Sequence, residues 1–70
     1  MIANEKDRAI KNKWTDIVMR IQHKSGGITF DSDYATAVNI FWDKPLPITD
    51  SDYKFLEAAI ERREQHLLSL

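Results

Sequence analysis

The stretch DRAIKNKWTDIVMRIQHKSGG (residues 7–27) decides the fold. Its large apolar residues recur with the period of an α-helix and fall within an arc of about 100°. They are Ile10, Trp14, Ile17, Val18 and Ile21. Asn4 is a suitable N-cap, and Gly26 and Gly27 supply the left-handed backbone that ends many helices. The stretch therefore predicts a first helix, over about residues 4–24, with one buried face.

The remainder of the chain predicts two more helices. In DSDYATAVNIFWD (residues 31–43) the apolar residues again share one side, and the prolines at 45 and 47 stop the helix because proline has no amide donor. The last segment repeats the pattern with Tyr53, Leu56 and Ile60 on one face. We predict helices over about 32–43 and 50–68, and no pair of strands. Seventy residues are enough for one core, so we predict a small all-α three-helix domain spanning residues 1–70.

The tetrapeptide DSDY occurs twice, at residues 31–34 and 50–53, each time where a helix should begin. Short polar side chains at such positions accept hydrogen bonds from the free amides of the first turn. We predict Asp31 as the N-cap of the second helix, and either Thr49 or Asp50 as that of the third. Asp-x-Asp also resembles part of a calcium loop, but the acidic residue and glycine that should follow are missing. The two tyrosine rings should pack with their hydroxyls in water.

Composition excludes several classes of protein. The chain has no cysteine, so it holds neither a disulfide framework nor a thiolate metal site. It has no signal-like N-terminal apolar run and no stretch near the roughly 20 apolar residues that span a bilayer, which predicts a cytoplasmic protein that avoids membranes. His23 and His66 are the two histidines that could act as a catalytic base, and neither lies in a recognisable motif. We predict no enzyme, no catalytic residues, no cofactor and no metal.

Charge is distributed unevenly along the chain. Residues 1–30 hold six Lys or Arg against three Asp or Glu, whereas residues 31–70 hold four against eight. A basic stripe lies within roughly 40° on the first helix; it comprises Lys6, Lys13, Arg20 and Lys24. A glutamate stripe on the third helix comprises Glu57, Glu61 and Glu64. The basic stripe has three interpretations: solvated side chains at the edge of the core, contact with acidic groups of a protein, or contact with nucleic acid.

Helix 2 has more apolar residues than one packed face can bury. Ile40 projects away from Val38, and Trp42 lies at the edge of the apolar arc. Either the helix is sandwiched between the other two, or Ile40 and Trp42 form a surface patch. These observations predict a small interaction or regulatory module that binds another protein through a helical surface, as a monomer or a homodimer. The alternative is a nucleic-acid-associated regulator that contacts phosphates through helix 1. The aspartates at the starts of helices 2 and 3 disfavour a helix-turn-helix reader.

Overall fold

The structure is a computed structural model that describes residues 5–28, 30–43 and 48–70. Helix α1 spans Glu5–Ser25, α2 spans Ser32–Val38 and continues as a π-helical turn over Asn39–Asp43, and α3 spans Asp50–Ser69. Within these ranges there is no strand, and the all-α three-helix prediction is confirmed. The predicted cap Asn4 and the two prolines lie outside the described residues.

Helix α1 buries the face that its spacing predicts. Ile10, Trp14, Ile17 and Ile21 are all buried. The helix ends at Gly26, whose φ of 83° lies in the left-handed region and whose amide donates to the carbonyl oxygen of Gln22 at 2.8 Å. A side chain would be strained in this conformation, which explains why glycine ends the helix here.

The three helices form an up-down-up bundle. Tyr53 at the start of α3 contacts Asp7 at the start of α1, and Arg63 lies over the ring of Trp14 farther along both helices, so α1 and α3 run parallel. Helix α2 descends antiparallel to both, since Tyr34 near its start contacts Trp14 and Trp42 near its end contacts Lys11. The core lies between the three helices. Its buried members are Ile10, Trp14, Ala37, Ile40, Phe41, Ile48, Tyr53, Leu56, Ala59 and Ile60.

The sequence predicts that helix 2 is α-helical as far as Asp43, but its α-helical part ends at Val38. The last five residues form a π-helical turn, in which each turn takes up more residues than an α-turn. Neighbouring side chains are then separated by a smaller rotation, which allows Ile40 and Phe41 to share the buried side. Trp42 points outward with 56% of its surface exposed. The two residues of the predicted patch therefore separate: Ile40 joins the core and Trp42 joins the surface.

Candidate functional site

A charged groove runs between α1 and α3, with a volume of about 520 Å³. Its apolar lining consists of Ala9, Ile10, Ile60 and the ring of Tyr53. One wall carries lysines of α1 and the other carries glutamates of α3. The wall residues are Lys6, Lys13, Glu57, Glu61 and Glu64. The groove thus brings together two members of the basic stripe and the entire glutamate stripe, which lie more than 40 residues apart in the sequence.

The two walls of the charged groove are not joined by ion pairs. Among the residues that the structure describes, no lysine nitrogen of the groove lies within 4.0 Å of a carboxylate of its three glutamates. Lys6 instead places its ammonium 4.2 Å from the centroid of the Tyr53 ring, a cation–π contact. The groove therefore presents a positive and a negative edge to whatever approaches it.

The other two members of the basic stripe lie away from the groove lining. Nε of Arg20 contacts Oδ2 of Asp16 at 2.9 Å, an exposed pair one turn apart on α1. Lys24 is exposed in the last turn, where a cation is favourable to the helix dipole. The basic stripe is therefore divided between the groove and the far end of α1.

A second surface, the aromatic face, lies on the α2 side of α1. It consists of Met19, Phe30 and Trp42, which are 51%, 76% and 56% exposed. Beside it is a hollow of about 190 Å³, lined by Trp14, Thr15, Val18, Met19, Gln22, Ile28, Tyr34 and Trp42. The sequence interpretation found Trp42 but missed the other two members. Met19 lies on the polar side of α1, and Phe30 belongs to the connection between helices, so neither has a periodic pattern that would reveal it.

The exposed rings of the aromatic face are held by contacts with the domain. Phe30 lies edge-on to Tyr34 with the ring centroids 5.0 Å apart, and Trp42 lies edge-on to Phe41 at 5.7 Å. The ammonium of Lys11 lies 4.6 Å from the Trp42 centroid. These contacts favour the observed positions of the two rings in the free chain.

The sequence interpretation also missed the structural role of one buried acidic residue, Asp7. Asp7 is buried; it accepts a hydrogen bond from the Tyr53 hydroxyl and one from the amide of Ile48 at 3.5 Å. Burial, and then this contact with Asp7, raises the pKa of Tyr53 to about 12, so the hydroxyl stays protonated at neutral pH. The expectation that this hydroxyl reaches water is wrong. Asp7 lies three residues before Ile10 and seven before Trp14, which is the spacing of the buried face.

Asp31 is both an N-cap and an ion-pair partner. Its carboxylate accepts from the amide of Tyr34 at 2.9 Å, and Arg63 donates to both carboxylate oxygens at 2.9 and 3.3 Å. Partial burial raises the pKa of Asp31, but the Tyr34 amide and the Arg63 guanidinium outweigh it, and the pKa lies below its usual 3.8. Beside it, Nε of Arg62 contacts Oδ2 of Asp33 at 2.8 Å. These pairs attach the start of α2 to α3.

The described part of the chain keeps its potential metal ligands and its two histidines apart. Across residues 5–28, 30–43 and 48–70, no cluster of three or more His, Cys, Asp or Glu side chains is arranged to hold a metal ion. His23 and His66 are exposed and lie on different helices. None of the described helices has both the length and the apolar composition to cross a membrane.

No family model, curated protein or solved structure matches this chain. Its function must therefore be argued from its own residues.

Proposed function

We propose that this chain is a small non-enzymatic binding module that holds another protein through the aromatic face. The observation that carries the proposal is that Met19 and Trp42, each at least half exposed, line one hollow, and that the exposed ring of Phe30 packs on Tyr34, which lines the same hollow. Exposed apolar side chains that surround a concavity often mark an interaction site. Aromatic residues and methionine are enriched at protein interfaces, and tryptophan is prominent among the residues that dominate binding energy.

The size of the hollow favours one side chain of a partner protein as its occupant. At about 190 Å³ it is smaller than the roughly 300–1,000 Å³ typical of small-molecule sites. Its inner wall is formed by Trp14, which is buried in the core and does not have to rearrange on binding. A single large apolar side chain, inserted between Met19 and Trp42, would bury the exposed apolar surface of both.

Charge beside the aromatic face favours an acidic neighbour on that partner. The ammonium of Lys11 lies 4.6 Å from the centroid of the Trp42 ring, and Trp42 lines the hollow. A carboxylate next to the inserted side chain would contact Lys11 without displacing it from the ring. Gln22 adds a polar group at the opposite rim, which is suited to hydrogen bonds with the backbone of the partner. The proposed ligand is therefore a protein segment with an apolar anchor flanked by an acidic residue.

Nucleic acid remains the alternative that the basic stripe predicts, and the surroundings of that stripe disfavour it. Glu57, Glu61 and Glu64 line the same groove as Lys6 and Lys13, and Asp16 pairs with Arg20. A phosphate backbone following α1 would meet these carboxylates as well as the lysines. We therefore propose a protein partner, in the cytoplasm; fractionation of cells that contain the protein checks the location.

The test combines capture with a direct titration. The tagged chain, its Trp42→Ser variant and its Leu70→Ser variant would each be used to capture proteins from an extract of the native host. Leu70 is a matched control, because it is an exposed apolar residue outside the aromatic face. Each captured protein would then be purified and titrated against the three chains by calorimetry.

We expect at least one partner whose dissociation constant rises about tenfold or more with Trp42→Ser and is unchanged with Leu70→Ser. In that partner, replacing the acidic residue beside the apolar anchor with a neutral residue should weaken binding further. Partners that bind all three chains equally, or binding that survives Trp42→Ser, would refute the aromatic face as the binding surface.

A further inference from the structure

The two walls of the charged groove match each other in height along the bundle. Helices α1 and α3 run parallel and rise about 1.5 Å per residue. The Tyr53 hydroxyl contacts Asp7, and the Arg63 guanidinium lies over the Trp14 ring. The first contact places Lys13 opposite position 59 of α3 and the second places it opposite position 62, so Glu61 lies within about 3 Å of the height of Lys13. A positive group on one wall therefore faces a negative group on the other wall at nearly the same height.

A groove of this kind is complementary to a second copy of itself. A two-fold axis parallel to the helices places α1 of one copy over α3 of the other and preserves the height of every residue. Lys13 of each copy then meets Glu61 of the other, so the contact is made twice. We propose that the charged groove is the interface of a two-fold symmetric homodimer, in which α1 and α3 of each copy pack against α3 and α1 of the other.

The charge pattern favours a second copy over other occupants of the groove. A partner with a single sign of charge would be attracted by one wall and repelled by the other, whereas a second copy satisfies both walls. An alternative two-fold axis, perpendicular to the helices, would place lysines against lysines and glutamates against glutamates. The charges therefore select the partner as well as its orientation.

Size and apolar content are also consistent with a dimer. The bundle is 37 Å long, so an interface that runs along α1 and α3 can reach the scale of the roughly 800 Å² that each partner buries in a stable dimer. Ala9 and the stems of the lysines and glutamates supply apolar contact next to the groove. Leu68 extends the glutamate stripe four residues after Glu64 and is 78% exposed, so it adds an apolar group at one end.

This proposal is independent of the aromatic face. The charged groove and the aromatic face lie on different flanks of α1, facing α3 and α2 respectively. In the proposed dimer, Trp42 stays accessible on both copies. Each dimer would then present two binding surfaces, and loss of one property leaves the other measurable.

The test uses two charge reversals and their mixture. The chains would be wild type, Lys13→Glu, Glu61→Lys and the control Arg8→Glu, which reverses an exposed arginine about 140° around α1 from Lys13 and outside the groove. Circular dichroism would verify that each variant is helical. Sedimentation velocity over a concentration series at low salt would then measure the monomer–dimer equilibrium.

We expect the wild type and Arg8→Glu to dimerise, with weaker association as the salt concentration rises. Either groove reversal alone should weaken dimerisation at least tenfold, because it places like charges opposite each other at both Lys13–Glu61 contacts of the dimer. An equimolar mixture of Lys13→Glu and Glu61→Lys should restore dimers, since each mutated residue then meets its opposite. Rescue by mixing is specific to contact between chains and cannot arise from a change within one chain.

Three results would overturn the proposal. One is a wild-type chain that stays monomeric at millimolar concentration and low salt. The second is a dimer that neither charge reversal weakens. If Trp42→Ser abolished that dimer instead, the interface would lie on the aromatic face. The third is a mixture of the two reversals that remains monomeric.

Discussion

The two copies of DSDY have the same sequence and different positions in their helices. In the first copy, Asp31 is itself the N-cap, and Tyr34 is the third residue of α2. In the second, Thr49 is the N-cap, and Tyr53 is the fourth residue of α3. The cap therefore shifts by one residue relative to the motif, which turns the tyrosine by about 100° around its helix.

That rotation determines what each tyrosine does. Tyr34 is half-buried and packs its ring against Trp14 and Phe30. Tyr53 is buried and donates its hydroxyl to Asp7, which connects the starts of α3 and α1. The residue before the motif accounts for the difference: Thr49 has a hydroxyl that accepts from the amide of Asp52, and Phe30 has no side-chain acceptor.

The largest predicted difference between the two copies is at the tyrosine hydroxyls. Tyr53→Phe removes a partner from the buried Asp7 carboxylate, and we expect it to lower the free energy of unfolding by about 2–3 kcal/mol. Tyr34→Phe removes a hydroxyl from a half-buried ring, and we expect a change of less than about 0.5 kcal/mol. Urea unfolding followed by circular dichroism measures both. Equal losses for the two variants would contradict the different roles assigned to the hydroxyls.

A smaller difference is expected at the two caps. Asp31→Ala loses both the cap and the pair with Arg63, and should cost about 1.5–2 kcal/mol in the free energy of unfolding. Thr49→Ala loses a cap alone, and should cost about 1 kcal/mol. The two variants can be compared in the same urea experiment. A loss for Thr49→Ala as large as that for Asp31→Ala would show that Arg63 adds nothing to the first cap.

Features that depend on local sequence could be predicted here, and those that depend on tertiary contacts could not. The helices and both caps follow from spacing and from the preferences of residues next to one another. The cap at Asp31 is confirmed, and of the two residues considered for the third helix it is Thr49 that caps. The first cap lies inside the motif because Phe30, the residue before it, has no side-chain acceptor.

The contacts of Asp7 and Arg63 join residues 46 and 32 positions apart, and periodicity carries no information about such pairs. The same limit applies to the candidate surfaces. The lysine and glutamate stripes were each visible on their own helix, but their meeting in one groove depends on α1 and α3 running side by side in parallel. The π-helical turn is a further case, since it is set by how Ile40 and Phe41 pack rather than by their spacing.

The smallest predicted difference concerns pH and separates the charge of Asp31 from its role as a cap. The pKa of Asp31 is lowered in the folded chain, so the folded state binds its proton less readily than the unfolded state. Its contribution to stability is therefore present above pH 3.8 and is lost as the pH falls through the lower, folded pKa. Because 43% of the side chain is exposed, screening by solvent should keep this contribution below about 1 kcal/mol.

Asp31→Asn keeps an oxygen for the cap and removes the titration, so its unfolding free energy should approach that of the wild type as the pH falls from 5 to 2. A constant difference between the two chains across that range would mean that neither the Tyr34 amide nor Arg63 stabilises the charged form of Asp31.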